Sequence, residues 1–278
     1  MSEALSAFAE RYGRWALIFG GSDGLGAAFA HEAASRGMNC MLIARSEVKL
    51  RQVASEIDAK WGVDVRFEAL DLCDDDAVVR LASLTESLDV GLVVLNAGGD
   101  TVASAFLDSE LADWQALNRR NISTLTGVCH LYGRAMQANG RGAIVVVGSD
   151  AAFGGAGLLS GYSATKAYAL NLAESLWAEL RPKGVEVLYL IIGSTDTPHM
   201  RGVLAARGIP PESLNLADPA EIAATALDRL HEGPTLILAG EDDADPLRSA
   251  RLRRHRTQEA TKIMQGFYGI DVEAPARD

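Results

Sequence analysis

The sequence predicts an α/β fold: a single domain on a doubly wound, mostly parallel sheet of seven strands flanked by helices. Three observations predict it. Seven short runs are apolar almost throughout, which suits strands covered on both faces. Stretches of helical periodicity separate them, so each strand–helix–strand unit implies a right-handed crossover between parallel strands. The 278 residues hold no low-complexity linker and no repeat of solenoid period, so residues 1–278 read as one domain.

In chain order, the first strand, Trp15–Phe19, runs into Gly20-Gly21-Ser22-Asp23-Gly24-Leu25-Gly26, and the helix Leu25–Arg36 follows. Glycines there let the backbone turn sharply, approach a pyrophosphate and pack helix on strand. The helix N-terminus then offers N–H groups and a partial positive charge to phosphates. A plain tight turn would give the same string; its place between first strand and first helix favours a dinucleotide. The second strand, Cys40–Ala44, ends at Ala44-Arg45-Ser46. A carboxylate about twenty residues past the turn would hold the ribose 2′-hydroxyl of NAD. Ala44 stands there instead and Arg45 follows, so the expected cofactor is NADP(H) in preference to NAD(H). The competing reading has Arg45 capping the strand at the surface, and Asp23 would repel a phosphate.

The helix Glu47–Lys60 leads to the third strand, Asp64–Ala69, and the helix Asp75–Glu86 to the fourth, Gly91–Leu95. The fifth, Ala143–Val147, brings Ser149 to its carboxyl end, where parallel sheets bind ligands. Tyr162 and Lys166 lie four apart on the helix that runs through Ala164–Leu180, so they share one face. Alone, such a pair is usually structural; Ser149, thirteen residues before Tyr162, is what lifts it. The sixth and seventh strands are Glu186–Ile191 and Leu236–Leu238. Between them Thr195–Asn215, with Gly202, Gly208 and Pro210-Pro211, is polar and expected as a flexible or partly helical excursion. Residues 195–215 read as a substrate loop and 245–270 as a C-terminal helical tail.

In this order and spacing, the glycine turn, Asn96-Ala97-Gly98, Asn121, Ser149 and Tyr162-Ser163-Ala164-Thr165-Lys166 resemble the short-chain dehydrogenase/reductase family over nearly the whole chain. Ser22-Asp23-Gly24 and Ala44-Arg45-Ser46 are similar to the branch with 17β-hydroxysteroid dehydrogenases and 3-ketoacyl reductases. The resemblance implies a Rossmann-type domain transferring a hydride between a nicotinamide cofactor and an alcohol or ketone. It implies Tyr162 as general acid in reduction and base in oxidation. A free phenol titrates near 10, and the Lys166 ammonium plus the oxidised nicotinamide would lower that value. Ser149 would hydrogen-bond the substrate oxygen, and Asn121 would hold a water linking Lys166 to solvent; a packing or capping asparagine is the alternative. Cofactor contacts are implied at Gly20, Ser22, Asp23, Gly24, Leu25, Gly26, Arg45, Ser46, Asp71, Leu72, Asn96, Ala97, Gly98, Tyr162, Lys166, Gly193, Thr195 and Thr197. For Asp71, Leu72, Gly193 and Thr197 local loop hydrogen bonding competes evenly with that role. Phe19, Leu95 and Ile192 depart from the family's usual threonine, asparagine and proline.

The segment after Ser149, Ala151 to Leu159, is small and apolar, which suggests a hydrophobic secondary alcohol or ketone, steroid-like or aromatic; internal packing is the bland reading. A 3-ketoacyl-thioester reductase is the alternative, its acidic carrier meeting the basic run Arg248, Arg251, Arg253, Arg254 and Arg256. The more ordinary reading of that run is a solvated helix face. A reading from another class is a non-catalytic dinucleotide-binding regulator, against which stands the presence of Asn121, Ser149, Tyr162 and Lys166 together.

A net charge of −11 disfavours nucleic acid, no apolar run is long enough for a membrane span, and the histidines lack metal-ligand spacing. Cys40, Cys73 and Cys129 read as buried free thiols of a reducing compartment. With no leader pattern at the N-terminus, the expected location is cytoplasmic. The family resemblance implies a homodimer or homotetramer through the helices bearing Asn121 and Tyr162.

Overall fold

Seven strands form the centre of the protein in a computed structural model, in which residues 6–99 and 104–270 are described. They are β1 (Trp15–Phe19), β2 (Asn39–Ala44), β3 (Val65–Ala69), β4 (Val90–Leu95), β5 (Gly142–Val147), β6 (Val185–Ile191) and β7 (Thr235–Ile237). They lie in the order β3-β2-β1-β4-β5-β6-β7, and every ladder is parallel. The order reverses between β1 and β4, so the crevice beyond their carboxyl ends is where such a sheet receives a ligand.

Ten α-helices accompany the sheet among the described residues: α1 (Ala7–Tyr12), α2 (Gly24–Ser35), α3 (Glu47–Trp61), α4 (Ala77–Thr85), α5 (Leu111–Asn118), α6 (Leu125–Asn139), α7 (Ser160–Leu180), α8 (Pro198–Ala206), α9 (Pro219–Asp228) and α10 (Ala250–Tyr268). Side chains alternate across each strand, which gives two cores. Ala16, Ile18, Leu42, Val94 and Val145 face α2, α3 and α9. Leu17, Phe19, Ile43, Val93 and Ile144 face α4, α6 and α7. Burial on both faces is why these strands are apolar without alternation.

The strands fall where the sequence places them, to within a residue or two. α7 opens earlier than expected, at Ser160, so Tyr162 and Lys166 sit in its first two turns. Among the described residues, α1, α9 and the π-helical turn Arg119–Thr124 between α5 and α6 escape the sequence reading, as do the short 3-10 turns Asp150–Phe153, Arg181–Lys183 and Leu230–Glu232. The 195–215 stretch is partly helical, with α8 and a short 3-10 turn at Pro211–Ser213. The tail helix continues through Gly266 and stops at Gly269, whose φ is +66°.

The arginine run needs correction, because much of it is tied inward. Arg253 is buried against Glu174 of α7 at 2.6 Å, Arg254 donates to Gly233 O at 2.8 Å, and Arg248 stands 5.5 Å from the Phe153 ring. Only Arg251 and Arg256 of the five are exposed. Cys40 and Cys129 are buried free thiols, pushed up to about 12 by burial, whereas Cys73 is only half-buried. No described helix is long and apolar enough to cross a membrane.

Candidate active site

The glycine turn leaves β1 and enters α2 with the helix N-terminus facing the crevice. Asp23 is the N-cap residue but makes no side-chain cap bond, and the first turn of α2 carries no acid. Its backbone N–H groups are therefore offered to a ligand rather than to a side chain. A Cβ on Gly26 would lie 2.0 Å from Gly20 O, so only glycine permits this close turn. The residues present thus fit a pyrophosphate. Asp23 instead reaches Lys49 of α3, with Oδ2 and Nζ 2.6 Å apart. That pairing offsets the repulsion expected of Asp23. Arg45 and Ser46 are exposed beyond β2, and the Ser46 hydroxyl caps α3 by accepting from Lys49 N at 3.5 Å.

Other implied cofactor residues make local bonds. Asp71 Oδ1 accepts from Cys73 N at 2.9 Å, and Leu72 O accepts from Thr124 Oγ1 at 2.7 Å. Thr195 is buried and donates to Gly193 O at 3.1 Å, while Thr197 caps α8 by accepting from Met200 N at 3.1 Å. Leu25 is buried in the first turn of α2, and Ser22 and Ala97 are half-buried on the crevice. Asn96 sits against the glycine turn, its Nδ2 2.9 Å from where a Gly26 Cβ would stand.

At the other end, β5 delivers Ser149 in an extended conformation, and its Oγ donates to Asp150 Oδ1 at 3.1 Å while accepting from Ala151 N at 3.2 Å. Lys166 lies buried, donates to Val147 O at 2.9 Å, and holds Nζ 5.6 Å from the Tyr162 ring centre. Burial, and then the charge of Arg120, push the Lys166 ammonium down to about 8. Asn121 sits buried in the π-helical turn, a common signature of functional sites. Its Nδ2 donates to Thr165 Oγ1 at 3.1 Å and to Gly98 O at 3.4 Å. Gly98, Asn121, Thr165 and Lys166 line one cavity with Arg120.

The family model described as short chain dehydrogenase matches residues 14–208. The chain belongs to that family. It is 32% identical over 195 residues to a 7beta-hydroxysteroid dehydrogenase of Clostridium sardiniense, covering 69% of this chain and 73% of that protein. To a very-long-chain 3-oxoacyl-CoA reductase of Podospora anserina it is 34% identical over 183 residues, 64% of this chain. It spans only about half of that relative, 54% of its length. A solved short-chain dehydrogenase from Sphingobium yanoikuyae in complex with NADPH superposes with a TM-score of 0.74 at 26% identity, covering 95% of this chain and 99% of that one. The chain is accordingly an NAD(P)-dependent oxidoreductase.

In this short-chain dehydrogenase the three departures from family pattern are absorbed by packing: Phe19 is fully buried, and Leu95 and Ile192 rest on the cores. Three polar residues at the site escape the sequence reading. Lys49 is one. Arg120 is another; its Nε donates to Asn121 Oδ1 at 3.1 Å and its Nη2 to Gly99 O at 2.9 Å. Tyr189 of β6 is the third, its hydroxyl donating to Lys166 O at 3.0 Å. Lys49 was within reach of sequence, since Ser46 reads as a helix N-cap that aims the first turn of α3 at the crevice. Arg120 and Tyr189 carry no local signal.

Proposed function

We propose that this dehydrogenase moves a hydride between NADP(H) and a hydrophobic ketone or secondary alcohol, with Tyr162 as the proton donor or acceptor. The observation that carries the reading is Lys166, buried and fixed to Val147 O beside the Tyr162 ring at the end of the strand bearing Ser149. The bound nicotinamide would supply or take up the hydride. In reduction the Tyr162 hydroxyl gives its proton to the substrate oxygen as that oxygen gains negative charge. A nearby ammonium favours the resulting phenolate. At neutral pH Lys166 still carries that charge, because its pKa stays near 8. Ser149 Oγ turns from Asp150 to the substrate oxygen and steadies the developing charge. The cavity beside Asn121 is the route by which Lys166 exchanges protons with water.

Apolar exposure supports a hydrophobic substrate. Leu158, between Ser149 and Tyr162, is 62% exposed. Phe106 is 53% exposed and stacks on Trp114, which packs on Gly161 beside Tyr162. A 7beta-hydroxysteroid dehydrogenase among the relatives fits a steroid-like or aromatic ketone. The thioester alternative is favoured by the 3-oxoacyl-CoA reductase relative, while the inward-tied arginines weaken its docking argument. Residues 195–215 serve as the substrate cover, and α6 and α7 as the faces of a homodimer or homotetramer.

The experiment is NADPH oxidation with a panel of bulky ketones and with 3-ketoacyl thioesters, run side by side. Bulky ketones should turn over, and Tyr162→Phe should lower kcat by about 10²–10⁴-fold. Unchanged turnover in Tyr162→Phe ends the mechanism, and turnover of thioesters alone replaces the substrate class.

A further inference from the structure

Tyr189 is a large, fully buried side chain on β6, directly beneath the site. Its ring fills the space that a side chain at position 148 would occupy. A Cβ on Gly148 would lie 2.2 Å from Tyr189 Cε1 and 2.3 Å from Cζ. Gly148 is the residue between the end of β5 and Ser149, so the chain gives up a side chain there to admit a phenol. A buried hydroxyl costs stability unless it is hydrogen-bonded, and a leucine would fill the same space without that cost. This hydroxyl is bonded: it donates to Lys166 O at 3.0 Å, and the backbone of Ser149 acts on the phenol oxygen itself, favouring its charged form.

We propose that Tyr189 is a positioning residue for hydride transfer, one hydroxyl that ties the strand end bearing Ser149 to the helix turns bearing Tyr162 and Lys166. The proposal rests on the function proposed above. It concerns geometry: β5 and the start of α7 each carry part of the site, and the Tyr189 phenol joins them, packed on Gly148 and bonded to Lys166 O. Burial first, and then the nearby Tyr162 charge, raise the pKa of Tyr189. It therefore stays protonated while Tyr162 titrates, and the bridge persists through the catalytic cycle. Arg253 and Glu174, themselves an ion pair, also bear on this phenol and act in opposite directions.

Tyr189→Phe keeps the ring and deletes only the bridge. With active sites counted by NADPH titration, kcat should fall at least tenfold. The ketone KM and the NADPH Kd should stay within twofold. The deuterium isotope effect from 4-deuterated NADPH should rise as hydride transfer becomes slower. A merely space-filling tyrosine would lower Tm and leave kcat per site within twofold, and that result overturns the proposal. Gly148→Ala would put a methyl 2.2 Å from the ring and 2.7 Å from the hydroxyl oxygen, so it displaces the phenol from its bond to Lys166 O and should reproduce the kcat loss. Combined with Tyr189→Phe it should add less than twofold, and losses that multiply fully overturn the bridge. Should Tyr189→Phe fail to fold, kcat in Gly148→Ala alone decides, parental turnover sinking the proposal. A readout independent of turnover is amide exchange at Ser149–Phe153 and Tyr162–Lys166. Both segments should exchange faster in Tyr189→Phe (in Gly148→Ala if that variant does not fold); unchanged exchange rejects the bridge even if no ketone is turned over.

Discussion

Lys166 holds a charge where charge is costly, and that cost is measurable. Burial and Arg120 push it down to about 8, whereas in an unfolded chain it titrates about two units higher. Between those values the unfolded state binds more protons, so stability rises as pH climbs through that window. Lys166→Met removes the dependence. The stability difference between parent and variant should change by roughly 3 kcal/mol from pH 7 to pH 11 in urea titrations. A difference flat with pH would show that Lys166 titrates normally. Lys49 and Asp23 pose the opposite case, an exposed pair that contributes under about 1 kcal/mol to stability. Their place beside Arg45, at the mouth of the glycine turn, gives them a different role. A 2′-phosphate would draw Lys49 from Asp23, since a charge-assisted hydrogen bond contributes about 1.5–3 kcal/mol. Lys49→Met and Arg45→Ala should each weaken NADPH about tenfold, leave NADH unchanged, and barely move Tm. Equal weakening of both cofactors by fluorescence titration would remove these residues from selectivity.

Elements carry the next level of coupling, and α10 is the case that shows it. Glu174 of α7 accepts from Arg253 at 2.6 Å and from Thr235 Oγ1 of β7 at 3.2 Å, all three buried. The same Arg253 stands 5.6 Å from the Phe153 ring, in the turn that follows Ser149. The tail helix is thereby joined to both halves of the site. Arg253→Met leaves the buried Glu174 carboxylate with only the exposed Arg256, 4.0 Å away, and should cost up to about 3–5 kcal/mol in chemical denaturation. Replacing both partners, Glu174→Leu with Arg253→Met, should recover most of that loss; a double variant as unstable as the single would disprove the pairing argument. None of this was legible in the sequence. An ion pair spanning 79 residues leaves no periodic trace, so the arginine run read as a solvated face. What was legible obeys short-range rules: strands buried on both faces, glycines at a forced turn, Tyr162 and Lys166 one helical turn apart. α9 was legible too and overlooked, for Asp218-Pro219 is a helix start, with Asp218 Oδ1 accepting from Ala220 N at 2.7 Å. The π-helical turn at Asn121 breaks the helical period, and no period-based reading finds it.

At the scale of the whole molecule the parallel sheet separates stability from chemistry. The glycine turn, Ser149, Tyr162 and Lys166 all follow the carboxyl ends of strands, with only Tyr189 reaching them from within β6. The amino edge carries its own tight packing. A Cβ on Gly91, early in β4, would lie 2.0 Å from Tyr12 O at the end of α1. Arg141 there donates to Glu10 O and to Asp89 Oδ2, each at 2.8 Å. Substitutions at the two edges should therefore fail differently although both are glycine to alanine. Gly91→Ala forces α1 off β4 and should cost about 1–3 kcal/mol, with kcat and NADPH affinity per folded molecule unchanged. Gly26→Ala drives a methyl into Gly20 O inside the phosphate cradle, so NADPH affinity should fall by two orders of magnitude or more. Its thermal stability should drop as well, because the same methyl strains the β1–α2 turn, so loss of binding has to be measured well below the transition. Paired NADPH titration and denaturation of the two variants test the separation. A Gly91→Ala protein that is folded yet slow, or a Gly26→Ala protein that binds NADPH normally, would show that the edges are not independent. Independence follows from the sheet itself, because strands buried on both faces pack rigidly and leave the loops at one end free to hold the chemistry.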